Sequence, residues 1–161
     1  MARYAEKDAT HRFIMKLVWL TSQRMKQAAY SSVCADLSHL LSELNGSGRR
    51  TTMKRLTSAI RHSHVLVAAD GATHQIVGTA TLVPIHRLGV LDGRVEEVVV
   101  LSSHRGRGIG RLLMKEVIRR AKKLGIRRLH LTSRPVRVAA HQLYKSLGFT
   151  EKETTPFILD L

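Results

Sequence analysis

Between Val98 and Leu124 the chain passes from a run of branched apolar residues, Val98-Val99-Val100-Leu101, through the string Arg105-Gly106-Arg107-Gly108-Ile109-Gly110 into an amphipathic stretch. No other segment narrows the fold as much. β-Branched runs favour strands, closely spaced glycines favour turns, and Ile109, Leu113, Val117, Ala121 and Leu124 share one side of a helix from about Gly108 to Leu124. A strand, a glycine turn and a helix N-terminus together make a phosphate-holding geometry. Glycines let the backbone approach the ligand, and the unpaired N–H groups of the first helical turn point at it. The spacing excludes two common phosphate loops. A Walker A loop needs Gly, four residues, then Gly-Lys-Ser/Thr, which the chain lacks. A dinucleotide fingerprint reads G-x-G-x-x-G near the start of a βαβ unit, with an acid about 20 residues on. Here the glycines read G-x-G-x-G, and Arg127-Arg128 stand where that acid belongs.

The string resembles the acetyl-CoA loop of the GNAT acetyltransferases, Q/R-x-x-G-x-G/A, with Arg105, Gly108 and Gly110 in its defined positions. Downstream, Ala140-His141-Gln142-Leu143-Tyr144-Lys145-Ser146-Leu147-Gly148-Phe149 is similar to the family's A-x-x-L-Y-x-x-x-G-F segment. Upstream, Gly93 to Val100 and Gly78 to Leu82 resemble the fourth and third strands of its glucosamine-6-phosphate acetyltransferase branch. The resemblance covers roughly residues 62–160, and the first third adds only Arg3-Tyr4-Ala5 and Asp8. The chain is identified as a member of this family.

The resemblance implies one α/β domain over residues 1–161, with a mixed antiparallel and parallel sheet flanked by helices. The central strand and the strand near Arg127–Thr132 would splay into a V that admits pantetheine. Acetyl-CoA would be the co-substrate, and its acetyl group would pass directly to a primary amine in a ternary complex. Val98, Val99 and Val100 would run along the pantetheine, and Arg105, Gly106, Arg107, Gly108, Ile109, Gly110 and Arg111 would take the pyrophosphate. Tyr144 would protonate the departing thiolate, and Glu96 or Glu97 would relieve the amine of its proton. Adjacent strand residues face opposite sides, so only one of these two carboxylates is expected in the cleft.

Three positions depart from the family's patterns. Thr132 stands where the ribosomal-protein branch keeps a Glu, which counts against that route to peptide N-terminal acetylation. Arg137 replaces a frequent Asn, and Pro135 replaces an acid of the aminosugar branch. The acceptor expected is a small anionic amine such as an aminosugar phosphate. The alternatives are a protein or peptide acetyltransferase, or a non-catalytic CoA-binding or nucleic-acid-associated protein. Members of the family often dimerise, and the resemblance allows a homodimer.

Composition sets further bounds. At 161 residues the chain is one domain long and apolar enough for a core. No stretch approaches the roughly 18 apolar residues of a membrane span, and no signal peptide is expected. Cys34 is alone, which excludes an internal disulfide and suits a reducing, cytoplasmic interior. A buried small residue in a helix is expected rather than a nucleophile. Among nine histidines only His62 and His64 are close, and no metal-ligand spacing appears, so no metal is expected.

Lys and Arg total 27 against 12 acids, a net charge of +15. Ten of these basic residues lie between Arg105 and Arg128, with Glu116 the one acid among them. Arg111, Lys115, Arg119 and Lys122 would form one helix face, with Arg105, Arg107 and Arg111 aiding capture of phosphate. Seven aromatics without a stacking pattern argue against a dedicated nucleic-acid module. Weak, sequence-independent contact is the most that composition supports.

The remaining elements follow from local patterns. A short strand is expected near Arg3-Tyr4, then a helix capped by Asp8 or Thr10 and running to about Lys26, with Phe13, Leu17, Leu20 and Arg24 on one spacing. A second helix should span Ser32 to Asn45 and break at Gly46-Ser47-Gly48. Thr51 or Thr52 would cap a third helix to about Arg61. Strands Val65–Ala68 and Gln75–Val83 flank an Asp70-Gly71 turn. Pro84 to Asp92 reads as a loop before the central strand, Arg94 to Leu101. A helix Val136–Leu147, with Val136, Ala140, Leu143 and Leu147 on its inner face, and a final strand or pair from Phe149 to Leu161 complete the chain.

Overall fold

The computed structural model describes residues 2–4, 15–21, 27–46 and 50–161. Six strands form one sheet in chain order: β1 (Ala2–Tyr4), β2 (Met15–Trp19), β3 (His64–Asp70), β4 (Ile76–Arg87), β5 (Val90–Val100) and β6 (Leu129–His130). The first four pairings are antiparallel, and β5 with β6 is parallel. Helix α3 (Ile109–Lys123) is the crossover that a parallel pair requires. Helices α1 (Gln27–Asn45) and α2 (Met53–His62) come between β2 and β3, and α4 (Val138–Ser146) follows β6.

Alternation along β4 assigns the faces. A side chain on Gly78 would stand 3.2 Å from Leu113 and 3.4 Å from Ile109, both on α3, so the missing Cβ lets that helix lie close to the sheet. Thr79, the next residue, lines a cavity under α1 and α2 on the opposite face. Leu40, Leu66, Val77, Leu82, Leu113, Met114 and Val117 are the largest fully buried apolar side chains among the described residues, and they bring both helical layers onto the sheet. Thr52 caps α2, its side chain accepting the Arg55 N–H at 3.3 Å, as its position before the helix predicts.

Several expectations give way. The helix expected to run to Lys26 is instead a strand over Met15–Trp19, inserted between β1 and β3. Its burial alternates at Met15, Lys16 and Leu17, and ladders on both sides outweigh a coincidental helical spacing. The expected caps Asp8 and Thr10, with Phe13 and Arg24, lie outside the described residues. The Pro84–Asp92 loop is a hairpin, with Arg87 opposite Val90 and a tight turn at Leu88-Gly89, where Gly89 takes φ +81°. Pro84 is tolerated because pairing with β3 ends at Leu82, leaving that side of β4 without a ladder to interrupt. α4 starts at Val138, so Val136 is left outside it and 84% exposed. Residues 150–161 form no strand. β6 is only two residues long and offers them almost no ladder, and Pro156 lacks a donor.

Candidate functional site

The splay is visible in the pairing. β5 and β6 exchange partners at Gly93–Leu129 and Arg94–His130, and no pairing continues beyond. A crevice of about 320 Å³ opens there, walled by Val95 to Val98 on one side and Leu131 to Arg134 on the other, with Tyr144 and Arg137 from the α4 region. Backbone groups of β5 that a neighbouring strand would otherwise bond border this space. Val99 is buried while Val98 and Val100 are half-buried, so this stretch offers a ligand mainly its main chain.

A β-bulge shapes the middle of β5. Thr79 lies opposite Val99, yet Thr81 lies opposite Glu96, so β5 carries one residue more than β4 over this interval. Glu97 takes up the excess with φ +55°, a left-handed conformation costing a non-glycine residue roughly 1–2 kcal/mol. The alternation that would send Glu96 and Glu97 to opposite sides breaks here. Both line the crevice, and Glu97 also lines the cavity of about 500 Å³ beneath α1 and α2. Thr81 Oγ1 donates to Glu97 Oε2 at 3.0 Å and fixes that carboxylate. Glu96 is ion-paired with Arg94 two residues back on its own strand. The larger cavity has apolar walls from Leu37, Leu56 and Val65, with Arg50 and Arg55 adding positive charge.

After Leu101 a single 3₁₀ turn, Ser102–His104, leads into the glycine string. Gly106 and Gly108 both adopt φ +76°, where a side chain would be strained. Gly108 precedes α3 and accepts the Leu112 N–H at 3.1 Å, so the N–H groups of Ile109, Gly110 and Arg111 form the open first turn. This cradle fits a polyphosphate, with the Ile109 side chain buried and its backbone at the turn. A Cβ on Gly110 would stand 3.4 Å from Leu143, so this residue also lets α4 approach. Arg107 and Arg111 are exposed beside the turn. Arg105 is engaged elsewhere. Its Nε donates to the Val100 carbonyl at 3.0 Å and its Nη2 to Glu43 Oε2 at 2.9 Å. Glu43 also accepts the Ser102 N–H at 2.9 Å and hydroxyl at 3.1 Å, so Arg105 braces the turn against α1.

Tyr144 packs edge-on against Phe149 at 6.0 Å between ring centroids, while Leu143 and Leu147 from the same region reach the core. Burial pushes the phenol above its ordinary pKa, opposed by the positive charge of Arg137. Tyr144 therefore keeps its proton at neutral pH. Arg137 also donates to the Leu44 carbonyl at the end of α1. His62 Nδ1 contacts the Ser58 carbonyl at 2.9 Å, and His64 packs edge-on to Trp19, so the two histidines have separate partners. Cys34 is half-buried on α1, and burial raises its thiol pKa. Among the described residues no three His, Cys, Asp or Glu side chains are grouped to hold a metal ion, and no helix is long and apolar enough to cross a membrane.

Sequence reasoning missed Arg50, Arg55, Glu43, Thr81 and the role of Arg137. Only Arg137 carried a local signal, as a departure from the family's Asn.

A family model described as the acetyltransferase (GNAT) family matches residues 34–149. A Drosophila melanogaster protein named a probable glucosamine 6-phosphate N-acetyltransferase is 28% identical over 137 residues, 81% of this chain. The chain spans 61% of that relative's length. Among solved structures, a Trypanosoma brucei acetyltransferase superposes with a TM-score of 0.71 at 25% identity, covering 91% of this chain and 99% of the other. Glucosamine-6-phosphate N-acetyltransferase from Arabidopsis thaliana shares the fold, with a TM-score of 0.72 at 17% identity over 90% of this chain and 97% of the other.

Proposed function

We propose that this chain, which belongs to the GNAT acetyltransferase family, moves an acetyl group from acetyl-CoA to the primary amine of a small anionic acceptor. One observation carries this reading: Glu97 lines both the crevice beside β5 and the cavity beneath α1 and α2. A group at that junction can serve an amine arriving from one side and a thioester arriving from the other.

In this scheme the main chain of Val98 to Val100 lies along the pantetheine, and the turn from Gly106 to Arg111 receives the pyrophosphate. Arg105 holds that turn in shape. The amine nitrogen attacks the thioester carbonyl, so a C–N bond forms and the C–S bond breaks. Glu97 takes the amine proton, directly or through one water, with Glu96 adding negative charge nearby. Tyr144 donates its proton to the leaving thiolate, and its raised pKa keeps that proton available. No acyl-enzyme is needed. Arg50 and Arg55 at the larger cavity suit an acceptor that carries a carboxylate or phosphate, and an aminosugar phosphate, the acceptor in the names of two relatives, fits that description.

The test is release of free CoA from acetyl-CoA over a panel of amines: aminosugar phosphates, their unphosphorylated counterparts, polyamines, amino acids and short peptides. Turnover should favour the phosphorylated amines. Silence across the panel despite demonstrable acetyl-CoA binding would overturn small-amine transfer, and equal turnover with and without the phosphate would remove the role given to Arg50 and Arg55.

A further inference from the structure

The site above uses the arginines at the glycine turn and leaves most of the basic surplus without a task. On α3, Lys115 and Lys122 lie within about 20° of each other on the outward face, at 100° per residue. Lys123, the last residue of α3, is about 100° round the helix from Lys122, and after Gly125 the chain carries Arg127 and Arg128 into β6. All five side chains are exposed.

The one acid of this segment does not offset them at the surface. Glu116 is turned inward and its side chain is only 4% exposed. Its Oε1 accepts the Trp19 indole N–H at 2.8 Å, and Arg119 binds both of its oxygens. Of its field outside that pair, Lys123 feels some. Other acids are paired elsewhere: Glu43 with Arg105, Asp92 with Arg87 and His130, Glu96 with Arg94, and Glu151 with Lys145. The face therefore carries five exposed cations, and the one acid of the segment, Glu116, is turned inward.

What such a face fits depends on what accompanies the charge. Membrane-surface helices set large apolar side chains beside their cations, and stable protein interfaces have an apolar centre. Among the described residues the exposed large apolar side chains are Met53, Leu88, Val136, Val138 and four in the C-terminal tail, and none lies on α3 or at Arg127–Arg128. A phosphodiester backbone requires only cations in a row. Lys115 to Lys122 covers about 10 Å of helix, enough to meet roughly three phosphates of one strand, and the two exposed arginines follow within five residues of the helix end.

We propose that the outward face of α3, together with Arg127 and Arg128, is a sequence-independent contact for the backbone of a nucleic acid. It stands independently of acetyl transfer. The test is fluorescence anisotropy of the full chain with a labelled 20-base-pair duplex of mixed sequence, titrated between 50 and 200 mM salt. Five phosphate contacts give a slope of log affinity against log salt near −4.5, a loss of roughly 500-fold over that range. The triple variant K115Q/K122Q/K123Q should reduce the slope to about −2, while its circular dichroism spectrum and CoA release stay as in the parent. The proposal is overturned if no salt-sensitive binding occurs at 50 mM, or if the variant keeps the parent's slope. It is equally overturned if polyglutamate of matched charge binds as tightly as the duplex, since an acidic protein segment would then be the partner.

Discussion

The crevice between β5 and β6 and the cavity beneath α1 and α2 meet at Glu97, yet they are made of different material. The crevice and the glycine turn beyond it rest largely on main chain: an interrupted ladder, two glycines at positive φ and the first turn of a helix. The cavity is made of side chains from α1, α2 and three strands, brought together only by the fold. A main-chain site tolerates varied sequence around a few obligatory glycines, so one pattern serves many proteins. A side-chain site is set residue by residue, which is where acceptor choice resides in the proposed scheme.

Substitutions can separate the two. The largest effect is expected at their junction: Glu97→Gln should lower kcat by about 10²–10⁴-fold with acetyl-CoA binding retained, the span of a lost general base. A kcat within threefold of the parent, at a pH where the amine is still protonated, would hand the role to another group. On the crevice side, Tyr144→Phe should cost about 100-fold in turnover and leave acetyl-CoA affinity unchanged by calorimetry. Because burial raises this phenol's pKa, an acid limb belonging to Tyr144 should not fail until the pH exceeds the ordinary tyrosine value of about 10. Activity of the parent that collapses between pH 8 and 9 with saturating neutral amine would contradict that assignment.

On the cavity side, Arg55→Ala should raise the acceptor KM about tenfold, leave the KM for acetyl-CoA in place, and have no effect on an uncharged amine. A matching rise in both KM values would mean the substitution disturbs the fold rather than the acceptor. The smallest effect on transfer is expected far from both compartments. Glu116→Ala should leave turnover near that of the parent yet lower stability by about 1–3 kcal/mol at neutral pH, because it strands the half-buried Trp19 N–H and releases Arg119. The Glu116 carboxyl is held below its ordinary pKa, chiefly by Arg119. Its contribution is therefore complete above the unfolded value near 4.5 and fades as the pH falls through the lower folded value. Denaturant midpoints of parent and variant should converge in acid, and a constant gap down to pH 2 would contradict this linkage.

The same contrast explains what the sequence disclosed. Gly106, Gly108 and Gly110 announce a turn because few other residues fit one, and Leu143-Tyr144 lies in a short helix whose context is local. Such features need no knowledge of distant chain. The bulge at Glu97 was invisible because it is a mismatch between two strands, counted only when β5 is laid against β4. Arg50 and Arg55 likewise become neighbours of Glu97 only through packing of α1 and α2 on the sheet. Met15–Trp19 shows the competition most clearly. Leu17 and Leu20 fit a helical spacing, but the slot between β1 and β3 selects the strand. In the sequence Glu116 is only the one acid of a basic segment, and its bond to Trp19, 97 residues away, becomes visible only in the fold.

Glu43 bears on how the two compartments could be altered. Its carboxylate holds Ser102 twice and Arg105 once, so the last turns of α1 and the entrance to the glycine string are clamped together. α1 is also a wall of the larger cavity, through Leu37 and Leu41. Reshaping that wall by sliding or lengthening the helix would drag the phosphate cradle with it. Acceptor preference is therefore better redesigned by exchanging single side chains on α2, which this clamp does not hold, than by grafting a new α1.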